Sequence, residues 1–287
     1  VLEKHPVSEM IAPGELIDWL DDCGTAVDTI FHMGATSSTT VTDMEHLLDN
    51  NVGFSLDLWR WCSRHGKRLI YASSAATYGD GADGFVDDND PAALAALSPL
   101  NAYGLSKQLF DVMAIKLAAS GFHPPQWAGL KFFNVYGPNE QHKGGQRSVA
   151  VQLFEQIGAT GKARLFRSHN PDYADGGQLR DFIWVGDCVD VMLWLHDTPP
   201  VSGIFNCGTG KARSFLDLAE ACFAAMDRKP DIEYVDTPEN IRDKYQYFTE
   251  ASMTRLRDAG YDKTFTSLED GVARYIRDYL ATNDPRR

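Results

Sequence analysis

Short apolar runs alternate along the chain with longer stretches in which apolar side chains recur every three or four positions. The runs at 27–32 (VDTIFH), 68–72 (RLIYA), 129–133, 180–185 (RDFIWV) and 203–207 predict strands. Helical spacing is clearest at 43–64, where Leu47, Leu48, Phe54, Leu58 and Trp61 share a face. Further helices are predicted over 106–119, 148–160, 187–196, 252–259 and 267–280. Another starts at Ser214, with Asp217 three residues on as a variant of the capping box. Residues 169–178 (HNPDYADGGQ) read as a turn-rich loop.

Strands alternating with helices predict an α/β fold: a Rossmann-type, doubly wound parallel sheet with helices on both faces. Ligands of such sheets bind beyond the carboxyl ends of the strands. Residues 1–147 are expected to form the dinucleotide-binding part. Residues 148–287 are expected to form mainly a smaller α/β substrate domain, with 181–210 returning to the first. One element is missing from the pattern. The segment 1–24 reads as a loop and one amphipathic helix, not as a strand and a Gly-rich pyrophosphate turn. Either the N-terminal βαβ unit lies upstream of Val1 or the protein lacks it.

Composition narrows the function. The 287 residues carry a formal net charge of −13 and no basic run, which argues against nucleic acid as a partner. No apolar run approaches the ~18 residues that span a bilayer, and 1–10 has no signal-peptide core. The five cysteines are scattered and form no C-x-x-C pair, as expected for reduced thiols in a cytoplasmic protein. His32 and His142 lack further ligands at metal spacing, so no catalytic metal is expected. His32 reads as a packed strand-end residue.

The phrase SPLNAYGLSK places Tyr103 and Lys107 one helical turn apart. By itself Y-x-x-x-K is a weak signal. Beside the strand-end phrase SSAATYG it gains meaning, because a lysine below a tyrosine helps stabilise a phenolate. Bringing a phenol from ~10 to 7 takes about 4 kcal/mol, which a nearby ammonium and a cationic cofactor ring are expected to supply together. A tyrosine so tuned is a general base. Ser73 and Ser74 either cap a turn or offer a hydroxyl to the reacting oxygen.

Together Ser74, Tyr103 and Lys107 resemble the triad of the extended short-chain dehydrogenase/reductase superfamily. HMGA, DNN, FFNVYGP, RDFIWVGD and IFNCGTG extend the resemblance over nearly the whole chain. More narrowly, MGATSSTT, NVYGP…HKGG, YADGGQLRDF and KYQYFTEA (244–251) are similar to the epimerases that act on ADP-heptose. That resemblance implies tightly bound NADP, or NAD, which transiently oxidises C6″ of ADP-D-glycero-D-manno-heptose and restores it as the L-glycero epimer. It places the enzyme in lipopolysaccharide core heptose synthesis and implies a homo-oligomer, a pentamer in the narrow family. Another epimerase or reductase of the superfamily, or a non-catalytic relative lacking the cofactor loop, is the alternative. Related dehydratases carry an Asp-Glu pair after the serine or threonine. Here Ala75 and Ala76 stand there, and a methyl group moves no proton.

By the same resemblance, Tyr103 and Lys143 serve as acid/base groups for the two faces of the carbon, with Lys107 and Ser74 completing the catalytic set. Cofactor contacts carry over to Met33, Gly34, Ala35, Thr36, Ser37, Asn50, Ser73, Lys107, Val135 and Lys143. Substrate contacts carry over to Asn134, Gly145, Gln152, Phe166, Arg167, Ser168, His169, Arg180 and Tyr245. Arg180 suits a diphosphate because guanidinium is planar and always charged; its bland reading is a salt bridge to Asp181 or Asp187. Gly145 and Gln152 replace a family serine and histidine, a change expected to alter the hold on substrate.

Overall fold

The computed structural model describes residues 4–242 and 245–284. Lys244, which opens the KYQYFTEA motif, and residues 1–3 of the N-terminal segment lie outside them. The chain opens with α1 (Leu16–Cys23), β1 (Thr29–His32), α2 (Met44–Leu47) and α3 (Phe54–His65). β2 (Arg68–Ser74), α4 (Pro91–Ala96), α5 (Ala102–Ala119), β3 (Trp127–Phe132) and β4 (Asn134–Tyr136) follow. Then come α6 (Val149–Thr160), β5 (Ala163–Phe166), β6 (Leu179–Trp184), α7 (Val185–Asp197), β7 (Gly203–Cys207) and β8 (Ala212–Ser214). The order ends with α8 (Phe215–Ala225), β9 (Ile232–Val235), α9 (Glu239–Arg242), α10 (Thr254–Asp258) and α11 (Leu268–Tyr275).

Among the described residues a parallel four-stranded sheet runs in the order β1-β2-β3-β7. Its two faces carry separate cores, because successive strand residues point to opposite sides. Leu69 and Tyr71 of β2 pack with Trp59, Phe110 and Trp127 under α3 and α5. Ile70 faces the other way, onto Ile183, Val191 and Leu195 of β6 and α7. A third core joins Leu153, Ile157, Leu165, Phe182, Phe223, Val272 and Tyr275. It ties α6, α8 and α11 to β5 and β6, beside the three-stranded set β4-β6-β8 and the pair β5-β9.

Three local departures from the sequence reading matter. The single helix expected over 43–64 is broken by a π-helical segment, Leu48–Gly53, between α2 and α3. There Asn51 turns inward, and its carbonyl accepts the Ser55 hydroxyl at 2.6 Å. α5 starts four residues earlier than its expected start at 106, because the Asn101 side chain caps it by accepting from the Gly104 N–H at 2.8 Å. Tyr103 therefore sits in the first turn of α5. The short strands β4, β5, β8 and β9 have too few residues for a legible alternation, and the apolar pattern did not predict them. The capping box at the start of α8 forms as expected, with Ser214 accepting from the Asp217 N–H and Asp217 from the Ser214 N–H.

Candidate active site

The carboxyl ends of β1, β2 and β3 open into a cleft of about 1160 Å³. β1 delivers Met33, Gly34, Ala35 and Ser37, β2 delivers Ser73 and Ser74, and α5 contributes Tyr103 and Lys107. Asn134 and Val135 of β4 and the following loop, with Lys143 and Gly145, line it too. α5 reaches β2 because Gly104 lacks a side chain: a Cβ there would lie 2.6 Å from the Ala76 carbonyl oxygen. That contact sets Tyr103 beside Ser74, and both side chains line the cleft. The Ser74 hydroxyl oxygen accepts from the Ala76 N–H at 3.1 Å, so the turn-capping reading of this serine is met.

The Lys107 ammonium, 4% exposed, donates to the Ala72 carbonyl at 2.7 Å. Burial lowers its pKa to about 8, against the opposing pull of the Asp111 carboxylate. The chain's own groups push the Tyr103 phenol upward. Burial raises it above the ordinary value, Asp111 adds to the rise, and the neighbouring Ser74 hydroxyl only partly offsets it. The chain alone therefore holds Tyr103 as the neutral acid, since the low-dielectric surroundings disfavour a phenolate more than the neighbouring donor stabilises it.

Lys143 sits in a 3₁₀ segment, Gln141–Gln146, and is solvent-exposed on the cleft wall. Among the described residues no carboxylate pairs with its ammonium. The segment turns sharply at Gly144, with φ 55° and ψ −125°, a conformation that suits glycine. Glu140 anchors it from below. Its buried carboxylate accepts from the Ser148 N–H, the Ser148 hydroxyl at 2.6 Å and the Tyr275 hydroxyl at 2.8 Å.

Other expected contacts stand behind the wall or away from it. Thr36 and Asn50 do not line the cleft; the Asn50 amide donates to the Thr36 hydroxyl at 2.9 Å, bracing the loop after β1. Ser73 does line it, but its hydroxyl is donated to Asp111 at 2.7 Å. Gln152 lies one layer out, donating to the Arg147 carbonyl at 2.8 Å. His32 is buried, bonded to the Ser55 hydroxyl at 2.8 Å, and burial lowers its pKa to about 4. His142 is exposed and its ring nitrogen meets the Asn139 carbonyl at 3.1 Å.

A second cluster gathers Phe166, Arg167, Ser168, His169, Arg180 and Tyr245. The Arg180 guanidinium lies 5.5 Å from both the Tyr245 and Phe215 rings, and Phe215 is part of the cleft wall. It donates to the Leu179 carbonyl at 2.8 Å and to that of Gln246. The salt bridge to Asp181 or Asp187 is not made. Asp181 instead accepts the N–H groups of Thr209, Gly210 and Ala251, and Asp187 accepts from Thr266. Phe166 meets Tyr245 edge-on at 6.1 Å, and the His169 N–H donates to the Tyr247 hydroxyl at 3.0 Å. The Ser168 N–H is held by Asp175 at 2.8 Å, and Arg167 lies 3.8 Å from both Asp175 and Asp236.

The profile of the NAD dependent epimerase/dehydratase family matches residues 12–208. The chain belongs to that family. Its members with curated names include the ADP-L-glycero-D-manno-heptose-6-epimerase of Nitratidesulfovibrio vulgaris strain DP4. That relative is 57% identical over 260 residues, covering 90% of this chain and 78% of its own. The enzyme of the same name from Fusobacterium nucleatum is 43% identical over 291 residues, covering 99% and 87%. Among solved structures, the Helicobacter pylori ADP-L-glycero-D-manno-heptose-6-epimerase superposes with a TM-score of 0.73 at 27% identity. The match covers 91% of this chain and 75% of that one. A protein described as MoeE5, in complex with UDP-glucose and NAD, gives 0.69 at 28% identity, covering 91% and 80%.

For a member of this epimerase/dehydratase family, the sequence reading missed several supporting residues. Asn51 is buried, accepts from the Thr36 N–H at 2.9 Å and donates to the Ser106 hydroxyl at 3.0 Å. Lys131 and Asp111 form a fully buried ion pair of 2.8 Å. A lysine inside the apolar run WAGLKF was the available signal, since buried lysines are almost always paired. Among the described residues no cluster of His, Cys, Asp or Glu is placed to hold a metal ion. No helix among them is long and apolar enough to cross a membrane.

Proposed function

We propose that this chain is an isomerase that inverts C6″ of ADP-D-glycero-D-manno-heptose to the L-glycero epimer, using bound NADP or NAD. The observation that carries the reading is one cleft lined by Ser74, Tyr103 and Lys107 from β2 and α5 and by Lys143 from a separate loop. Inversion needs proton handling on both faces of one carbon, and a single fixed group does not reach both. The names of relatives at 43% and 57% identity support the substrate.

The residues present fit a nicotinamide cofactor. A Cβ on Gly34 would meet nothing within 4 Å, so backbone is open to a ligand there. Lys107 spends one donor on Ala72 and keeps two of its three for a ribose. Val135 offers an apolar wall at the cleft. When bound, the cofactor supplies the reversible oxidation of the alcohol carbon. Ser74 then orients the C6″ oxygen, and Tyr103 and Lys143 give and take its proton from different sides. Arg180, Phe166 and Tyr245 hold the ADP portion. Ala75 and Ala76 leave no side chain able to expel water from the neighbouring carbon.

The domain assignment belongs to the same reading. Residues 1–147 with 181–210 carry the cofactor sheet, and the rest of 148–287 carries the substrate domain. Packing of Ile183, Val191, Leu195 and Phe205 against β2 and β3 supports the return at 181–210. The enzyme works in the cytoplasm as a homo-oligomer, upstream of lipopolysaccharide core assembly. Incubating the full chain with NADP and the D-glycero substrate, with epimers resolved by chromatography, tests the activity. Absence of the L-glycero product while NADP is bound contradicts it.

A further inference from the structure

Beneath the cleft lies a buried group that the chemistry above does not use. Asp111 is eight residues after Tyr103 and four after Lys107, so the three share one face of α5. Its carboxylate is fully buried and accepts three donors from the sheet. These are the Tyr71 hydroxyl at 3.0 Å, the Ser73 hydroxyl at 2.7 Å and the Lys131 ammonium at 2.8 Å. Lys131 donates further to the Thr77 hydroxyl at 2.7 Å and lies 5.0 Å from the centre of the Tyr78 ring. One carboxylate thus ties α5 to the end of β2 immediately before Ser74 and to the turn after it.

We propose that Asp111 is the positioning residue of this site, locking the strand end that bears Ser74 onto the helix that bears Tyr103 and Lys107 and supplying the negative charge beneath both. The electrostatic part rests on the epimerase reading only for its effect on turnover. Groups facing the pair from other elements do not replace that charge. His32 of β1 is held neutral by burial at neutral pH, and the phenols of Tyr71 on β2 and Tyr78 in the following turn are both pushed upward. Asp111 is the charge that opposes the desolvation of Lys107, and it also helps hold the Tyr103 proton.

The test compares the native chain with Asp111→Asn and with Asp111→Asn/Lys131→Met. The double variant leaves no lone ammonium in the core should the single variant fail to fold. Protein labelled with ¹³C at the lysine ε-carbons is titrated by NMR, with Lys107 assigned through Lys107→Arg. Lys107 titrates near 8 in the native chain. In the folded variant it titrates lower, as loss of the carboxylate that raises it requires. The alkaline limb of the pH–rate profile moves to lower pH with it. An unmoved Lys107 titration in a folded variant overturns the proposal. A shifted titration in a chain that does not turn over ADP-heptose supports Asp111 and sinks only the epimerase reading.

Discussion

Gly104 rests so close to Ala76 that a Cβ on it would stand 2.6 Å from the Ala76 carbonyl oxygen. Neither atom belongs to a catalytic side chain, yet the contact sets where Tyr103 meets Ser74. Backbone cannot yield as a flexible side chain does, so Gly104→Ala moves the first turn of α5 outward. The expected result is a stability loss of about 1–3 kcal/mol. Turnover falls by roughly 100-fold, because a misplacement near 1 Å is that costly to a positioned group. Denaturant unfolding beside steady-state kinetics checks both. A variant of native activity would mean that the contact does not position Tyr103.

Tyr103→Phe and Lys143→Met separate the two proton-handling groups. Each is expected to lower kcat by about 100-fold or more, the usual worth of a general acid or base. Lys143 is exposed and pairs with no carboxylate among the described residues, so its loss leaves stability within about 0.5 kcal/mol. Near-native epimerisation by either variant would sink the two-group scheme.

The sheet, its covering helices and the residues on the cleft wall were legible in the sequence for a physical reason. Strand ends carry local signals such as SSAATYG, and those signals coincide with the wall, whereas the start of α5 at NAYG was read four residues late. What lay behind the wall was not legible. Asp111 looks like one more polar residue in a helix until its partners are seen to come from Tyr71, Ser73 and Lys131. The same reason hid the direction in which the chain's own groups move the Tyr103 phenol. Its local neighbour Lys107 was visible, whereas burial by distant elements, the largest influence on it, was not. The π turn at Leu48–Gly53 arises from Asn51 bonding across to Thr36 and Ser106, a nonlocal effect that helical spacing does not encode.

Arg180 is held between two rings and bonded to two carbonyls, a geometry that a guanidinium plane satisfies and an ammonium does not. Arg180→Lys is expected to raise KM for the ADP-sugar by about tenfold or more, with a smaller change in kcat. That split follows if the contact is made equally in the ground and transition states. A fall in kcat at unchanged KM would place Arg180 in the chemistry instead.

His32 gives the fold a dependence on acid. Its folded pKa, about 4, lies below the ordinary histidine value because burial disfavours the charged ring. The unfolded chain therefore binds the proton first as pH falls, and stability is lost between about 6.5 and 4. The loss attributable to this residue is about 3 kcal/mol. Unfolding measured from pH 7 to 4 should show a steeper decline in the native chain than in His32→Asn. Parallel curves would mean that His32 does not titrate as its burial demands.

The central claim is inversion at C6″ in a cleft with two separate proton-handling groups. The most direct measurement is proton NMR of ADP-D-glycero-D-manno-heptose incubated with the full chain and NADP. The expected spectrum acquires the resonances of the L-glycero epimer until the two reach a constant ratio, and Lys143→Met slows that approach by about 100-fold. A sugar nucleotide that stays unchanged while NADP is bound would contradict the claim.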